Sequence, residues 1–293
     1  MEIDSLPEEL LKKVISLSRP QDACHTAGVS RAFRAAADSD TVWSRFLPHE
    51  LPRLAKKELP STPLSKKGMF QRLSTQPALL PTKFVSMQLN RATGGKCYTI
   101  SARALQILWG NTRRNMCWMN VKVDDYYMKR GGKRFSEAAH LRKFTWLEIR
   151  GKIQSKMLSS NTTYVAYMVF KLADTFFHLD FPFQNASVSF SGSESTRQVC
   201  LQAYANEDED VAAGAPSYQV LQPRSWRPTT VTPGKDMLLP RRRADGWMEV
   251  ELGQFYNEGG DDREVSISLT EIANNYKFGL IVRGMEVITK QQV

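Results

Sequence analysis

Six short runs in the second half of the chain constrain its fold more than any other feature. They are TWLEIRGKI (145–153), TYVAYMVFKL (163–172), ASVSFS (186–191), GWMEVELG (246–253), EVSISL (264–269) and FGLIVRGMEVI (278–288). All are rich in β-branched and aromatic residues, and several alternate apolar with polar. That alternation is the period of a strand with one face buried and the other wet. No helical pattern is interposed between successive runs, so the expectation is an antiparallel β-sandwich of jelly-roll-like type and not alternating helix and strand.

The start of the chain has another character. In SLPEELLKKVISL (5–17), Ser5 and Glu8 have the spacing of a capping box, with Pro7 placed in the first helical turn. Leu6, Leu10, Leu11, Val14, Ile15 and Leu17 fall at three-and-four spacing and make a stripe too broad for a helix alone in water. Two more short helices are expected before residue 47. Pro20 and Asp22 start one; Ser30 caps the other, which carries Phe33, Ala36 and Ala37 inward. Three helices in so short a segment bury little surface, and a partner helix would complete their core. The chain is therefore read as an α+β multidomain protein.

Residues 47–95 are rich in Pro and Lys and read as a partly helical connector, with one helix around residues 65–73. Between 192 and 245, EDED (207–210), AAGAP (212–216) and RRR (241–243) mark a long surface loop, with one strand expected at QVCLQAYA (198–205).

Several function classes find no support. The longest strongly apolar run, YVAYMVF (164–170), is far short of a membrane span, and Glu2, Asp4, Glu8 and Glu9 replace the basic start of a secretory leader. A soluble intracellular protein is expected. Cys24, Cys97, Cys117 and Cys200 are scattered without a CxxC pair, which points to reduced thiols. His25, His49, His140 and His178 have no neighbour at metal-ligand spacing, and phosphate-cradling or nucleophile-elbow motifs are missing, so no metal, cofactor or catalytic residue is expected. Glu249 and Glu251 share one strand face as a glycosidase pair would, but a polar row is the favoured reading. The net charge of +10 is diffuse, with +5 in residues 1–95 and +5 in the rest. Arg241–Arg243 and KRGGKRF (129–135) lack interleaved aromatics and read as solvated loops, not as a nucleic-acid site.

Two resemblances add to this. LPEELLKKVISL followed by RPQDACHTAGVSRAFRAAADSDTVW resembles an F-box, through Leu6-Pro7, the apolar helix, Pro20, Val29-Ser30, Phe33 and Trp43. The resemblance implies a three-helix F-box over residues 1–46 that docks on a Skp-type adaptor and through it on a cullin. Leu6, Pro7, Leu10, Ile15, Pro20 and Val29 are the expected adaptor-facing residues. CYTISARALQILWG (97–110), residues 144–172, ADGWMEVELGQFY (244–256), EVSISLTEI (264–272) and KFGLIVRGMEVI (277–288) resemble the plant phloem-lectin, or Nictaba-like, family. This places a lectin-like sandwich at 96–293.

In that family N-acetylglucosamine oligomers are held by tryptophans near the amino end and two glutamates near the carboxyl end. The matching positions are Trp109, with Trp118 close to a second tryptophan position occupied by Met116, and Glu264 and Glu271. Trp109 reads equally well as a core residue or a sugar platform, whereas Trp146 and Trp247 are expected in the core. The implied role is a non-catalytic, target-recognising subunit of a Skp–cullin–F-box ubiquitin ligase, cytoplasmic or nuclear, whose target is a protein carrying a glycan. The alternative is a lectin-like domain without sugar binding that recognises protein surfaces.

Overall fold

The computed structural model describes residues 6–108, 114–121, 135–205, 218–220 and 237–290. Helices come first: α1 (Glu8–Ser16), α2 (Pro20–Thr26), α3 (Arg31–Asp38), α4 (Asp40–Phe46) and, after an irregular stretch, α5 (Lys66–Thr75). Helix α1 turns Leu11 and Ile15 inward, where it packs on α3 and α4. Ser30 Oγ accepts the Phe33 N–H at 3.3 Å and so starts α3; Ser65 Oγ accepts the Gly68 N–H at 3.1 Å and starts α5.

Two helical expectations change. Pro7 lies one residue before α1 with an extended ψ of 139°, so the helix begins at Glu8; Ser5 of the expected capping box lies outside the described residues. The expected third helix is two. Ser39 is extended, and its Oγ accepts the Thr41 N–H at 3.3 Å, which opens α4 on a new axis. The break lets Trp43 turn back into the bundle, where its indole N–H donates to the Ala37 carbonyl at 2.6 Å. Phe46 and Phe70 then pack on the Trp43 ring at 5.4 and 5.1 Å.

The strands are β1 (Ala78–Leu79), β2 (Val85–Leu89), β3 (Lys96–Ser101), β4 (Gln106–Ile107), β5 (Met116–Asn120), β6 (Glu137–Leu141), β7 (Leu147–Gln154) and β8 (Thr162–Phe177). There follow β9 (Gln184–Phe190), β10 (Ser193–Val199), β11 (Ala203–Ala205), β12 (Tyr218–Val220), β13 (Arg241–Arg242), β14 (Met248–Asn257), β15 (Glu264–Glu271) and β16 (Phe278–Thr289). A nine-stranded sheet runs β1-β2-β3-β16-β8-β14-β13, with β6 also paired to β16 and β5 to β6. A five-stranded sheet runs β10-β9-β15-β7-β4, and every pairing within the two sheets is antiparallel. Alternation explains the layering. In β7, Leu147, Ile149 and Ile153 are buried while Glu148, Arg150 and Lys152 face out; β15 turns Val265, Ile267 and Leu269 in beside them. Met168, Phe170, Val250, Met285 and Val287 close the same core from the large sheet.

The stretch read as a connector contains more than a helix. Strands β1 and β2 lie within it and pair into the large sheet, because Met87 and Leu89 find buried places beside β3. Helix α5 packs on both α4 and β2, which joins the helices to the sandwich. The strand expected at 198–205 is broken: β10 ends at Val199 and β11 starts at Ala203. EDED, AAGAP and most of KRGGKRF lie outside the described residues. Trp247 is buried as expected, but Trp146 is 44% exposed, because it precedes β7 in step with the outward-facing Glu148 and Arg150. Among the described residues no helix is long and apolar enough to cross a membrane.

Candidate functional site

The helical face is built from the breadth of the α1 stripe. Leu11 and Ile15 fill its inner half, at 2% and 3% exposure, and seal the small bundle from within. Leu10, Val14 and Leu17 occupy the other half, one to two turns apart, at 48%, 62% and 75%. Val29, just after α2, is 68% exposed. Of the six residues expected to face an adaptor, Leu10, Val29 and Pro7 are accessible and Leu6 is half-buried against the core. Ile15 and Pro20 are not accessible: both are buried within their own helices and act as bundle core. Val14 and Leu17 join the accessible set instead. Their place in the helical period marks them as apolar, but only the packing of α3 and α4 decides which half of the stripe is covered.

Among the described residues the two expected glutamates do not converge. Trp109 lies outside the described residues. Glu264 and Glu271 are the two ends of β15, whose register with β7 runs without a shift, so they stand roughly 23 Å apart at the usual strand rise. Their side chains also differ in setting. Glu264 is half-exposed and pairs with Lys152 at 2.8 Å. Glu271 is 3% exposed; its carboxylate accepts the Ala273 N–H and pairs with Lys277, whose side chain is fully buried. The carboxylate is thus enclosed, with one oxygen held by the Ala273 N–H and the other by the Lys277 ammonium.

A groove does form beside Trp118. Its volume is about 460 Å³, and its walls are Arg103, the segment 105–108 around β4, Met116 and Trp118 of β5, and Glu148 and Arg150 of β7. Arg103 leaves a 3-10 turn at Ala102–Ala104 with its guanidinium 3.8 Å from the Trp118 ring centre. The same guanidinium donates to both oxygens of Glu137, at 3.0 and 2.6 Å, and holds that carboxyl below the usual carboxylate range. Arg150 pairs with Glu148 at 2.7 Å across the far wall. Met116 is 5% exposed and forms floor, not platform. The result is one partly exposed aromatic ring beside a fixed guanidinium, a carboxylate and the Gln106 carboxamide, a set that suits a hydroxylated ligand with an apolar face. Sequence reading found Trp118 and missed Arg103, Gln106 and Glu148, which come from three separate elements.

Glu249 and Glu251 do share a face of β14. Glu249 accepts from Arg241 and, at 2.8 Å, from Arg243; Glu251 accepts from Gln254 at 2.8 Å. Arg243 further pairs with Glu286 at 2.9 Å, and Asp245 with Arg283 at 3.1 Å. This is an ion-pair lattice on the large sheet rather than an acid and a nucleophile around an open cleft.

Comparison with known proteins gives the lineage. The Phloem protein 2 family model matches residues 95–289, and an F-box-like model matches residues 3–49. F-box protein PP2-B1 of Arabidopsis thaliana is 36% identical over 97% of this chain and 89% of its own length. F-box protein PP2-B10 of the same plant is 32% identical over 97% and 93%. Among solved structures, TmCBM61 in complex with β-1,4-galactotriose covers 65% of this chain and 91% of its own at 7% identity, with a TM-score of 0.27, a likeness too slight to carry an argument. Matched over most of its length by the one model and nearly end to end by these relatives, the chain belongs to the phloem protein 2 family, among the members that carry an F-box.

Proposed function

We propose that this protein is the target-recognising subunit of a Skp–cullin–F-box ubiquitin ligase and contributes no catalytic side chain of its own. The exposed half of the α1 stripe carries the reading: Leu10, Val14 and Leu17 stay wet although Leu11 and Ile15 beside them already complete the bundle. An apolar row of that kind, extended by Val29, suits the helices of a Skp-type adaptor. Tethering a target near the ubiquitin-charged enzyme then raises the rate by effective concentration alone.

The sandwich is the target-binding half. The Trp118 groove supports an N-acetylglucosamine-containing glycan as the mark on that target, through ring stacking and charge-assisted hydrogen bonds. A second reading, recognition of protein surfaces without sugar, is supported by the burial of Met116 and Glu271, two positions that match the family's sugar contacts.

A pull-down with a Skp-type adaptor tests the first half. Leu10→Asp and Leu17→Asp are expected to abolish capture while the far-ultraviolet circular dichroism of the protein is unchanged; undiminished capture by both variants overturns it. A glycan array decides between the two readings of the sandwich.

A further inference from the structure

Beyond the groove, three large apolar side chains stand out at one end of the sandwich: Trp146, Ile272 and Tyr276, exposed by 44%, 80% and 41%. They sit on two segments, 142–146 and 272–276, that run side by side. Glu271 is opposite Leu147 at the end of the β15–β7 ladder, so Trp146 and Ile272 are the next residues outward on the two segments. Phe144 and Lys277 exchange both backbone hydrogen bonds, at 3.0 and 2.7 Å.

Both segments are clasped from beneath. The buried Lys277 ammonium donates to the carbonyls of Thr145 at 3.1 Å, Ala273 at 3.3 Å and Asn275 at 3.0 Å, and pairs with the Glu271 carboxylate. A charge enclosed in this way is tolerated only when every partner is in place, so its presence fixes the two segments relative to each other. Apolar surface of this size, left exposed on so constrained a frame, is available to a partner. The side chains that form it have the properties of recognition anchors: large, two of the three aromatic, and carried on a fixed backbone.

The electrostatics select the occupant. Residues 142–146 and 272–276 contain two cations, Arg142 and Lys143, both exposed, and no acid. Lys143 Nζ lies 5.2 Å above the Tyr276 ring, which places positive charge at the edge of the apolar surface. The face is also continuous with the groove, since Glu148 of the groove wall, its charge paired with Arg150 at 2.7 Å, is two residues beyond Trp146 on the same outer side of the sheet. We infer that this face binds an acidic peptide segment of the target protein bearing aliphatic or aromatic anchors. The inference rests on the target-recognition reading and names the polypeptide chemistry that the sandwich would select.

The full-length protein is panned against a phage-displayed random dodecapeptide library, and the enriched peptides are synthesised with a fluorescent label for titration. Enriched sequences are expected to combine Asp or Glu with Leu, Phe or Trp. Ile272→Asp, Tyr276→Ala and Lys143→Glu are each expected to weaken the labelled peptide at least tenfold, with melting temperature and adaptor capture unchanged. Absence of enrichment, peptides without acidic residues, or equal binding by the three variants overturns the inference. Retention of chitotriose that is lost in the same variants overturns it too, in favour of a glycan surface. Adaptor capture by the wild type is scored separately: its failure sinks the ligase reading, whereas intact capture without peptide selection sinks only this one.

Discussion

The carbonyl oxygen of Phe46, at the end of α4, sits 2.2 Å from the point that a Cβ on Gly94 would occupy. Gly94 has φ +72°, a left-handed conformation that glycine adopts without strain, and its N–H donates to the Asn90 carbonyl at 2.8 Å. The last turn of the helical bundle is thus seated directly on the loop between β2 and β3. Lys96 Nζ adds a hydrogen bond to the Glu50 carbonyl at 3.4 Å across the same junction.

Replacing Gly94 with Ala forces helix and loop apart and strains the backbone as well. The expected loss is about 3 kcal/mol in a urea unfolding titration. Faster cleavage between residues 47 and 65 in limited proteolysis is expected with it. Unchanged stability would mean that the helices are not braced at this contact.

The Glu271–Lys277 pair predicts an asymmetric result. Lys277→Met leaves a carboxylate buried without its partner and should cost about 3 to 5 kcal/mol. The double variant with Glu271→Leu removes both charges and should recover most of that loss. A double-mutant cycle by chemical denaturation measures the difference directly.

If a sugar is held beside Trp118, then Trp118→Ala should weaken chitotriose at least tenfold in isothermal titration, and Gln106→Ala should weaken it by a smaller factor. Glu264→Gln, at the remote end of β15, should change nothing. Loss of binding in Glu264→Gln with Trp118→Ala intact would move the site to the other end of the sheet.

His140, on β6 opposite Cys117 and Ile281, has its pKa pushed below the usual 6.5, first by burial and then by the nearby Arg142 charge. The folded protein therefore binds this proton less readily than the unfolded chain does. Its contribution to stability is complete above about pH 6.5 and is lost as the pH falls below that value. A melting temperature that drops between pH 7 and pH 5, with a shallower drop in His140→Gln, is the expected outcome.

How far the sequence could be read is clearest where local chemistry is self-sufficient. Ser30 and Ser65 announce their helices because a side-chain oxygen next to free N–H groups needs nothing distant. The six β-branched and aromatic runs announce β7, β8, β9, β14, β15 and β16 for the same reason: strand composition, and in several of them period two, is a property of the strand itself. Strands β1 and β2 escaped, since AL and VSMQL are too short to outweigh the Pro and Lys around them until β3 offers an edge.

The sites were less legible than the elements. Periodicity shows that Leu10, Leu11, Val14 and Ile15 are apolar, but the covering of two of them by α3 and α4 is a matter of docking. The family pattern locates Glu271 but not the ammonium six residues later that turns inward to meet it. The groove joins Arg103, Trp118 and Glu148 through pairings of β4 with β7 and β5 with β6, contacts between residues far apart in the chain.

The amino-acid order alone determined the class of the protein, its helical start and β-rich remainder, and the side chains available for binding. Tertiary structure alone decided which of those side chains remain accessible, because exposure is set by what packs above a residue and not by what precedes it. Leu10 and Ile15 share one helix and one hydrophobic character, yet one faces water and the other the bundle core.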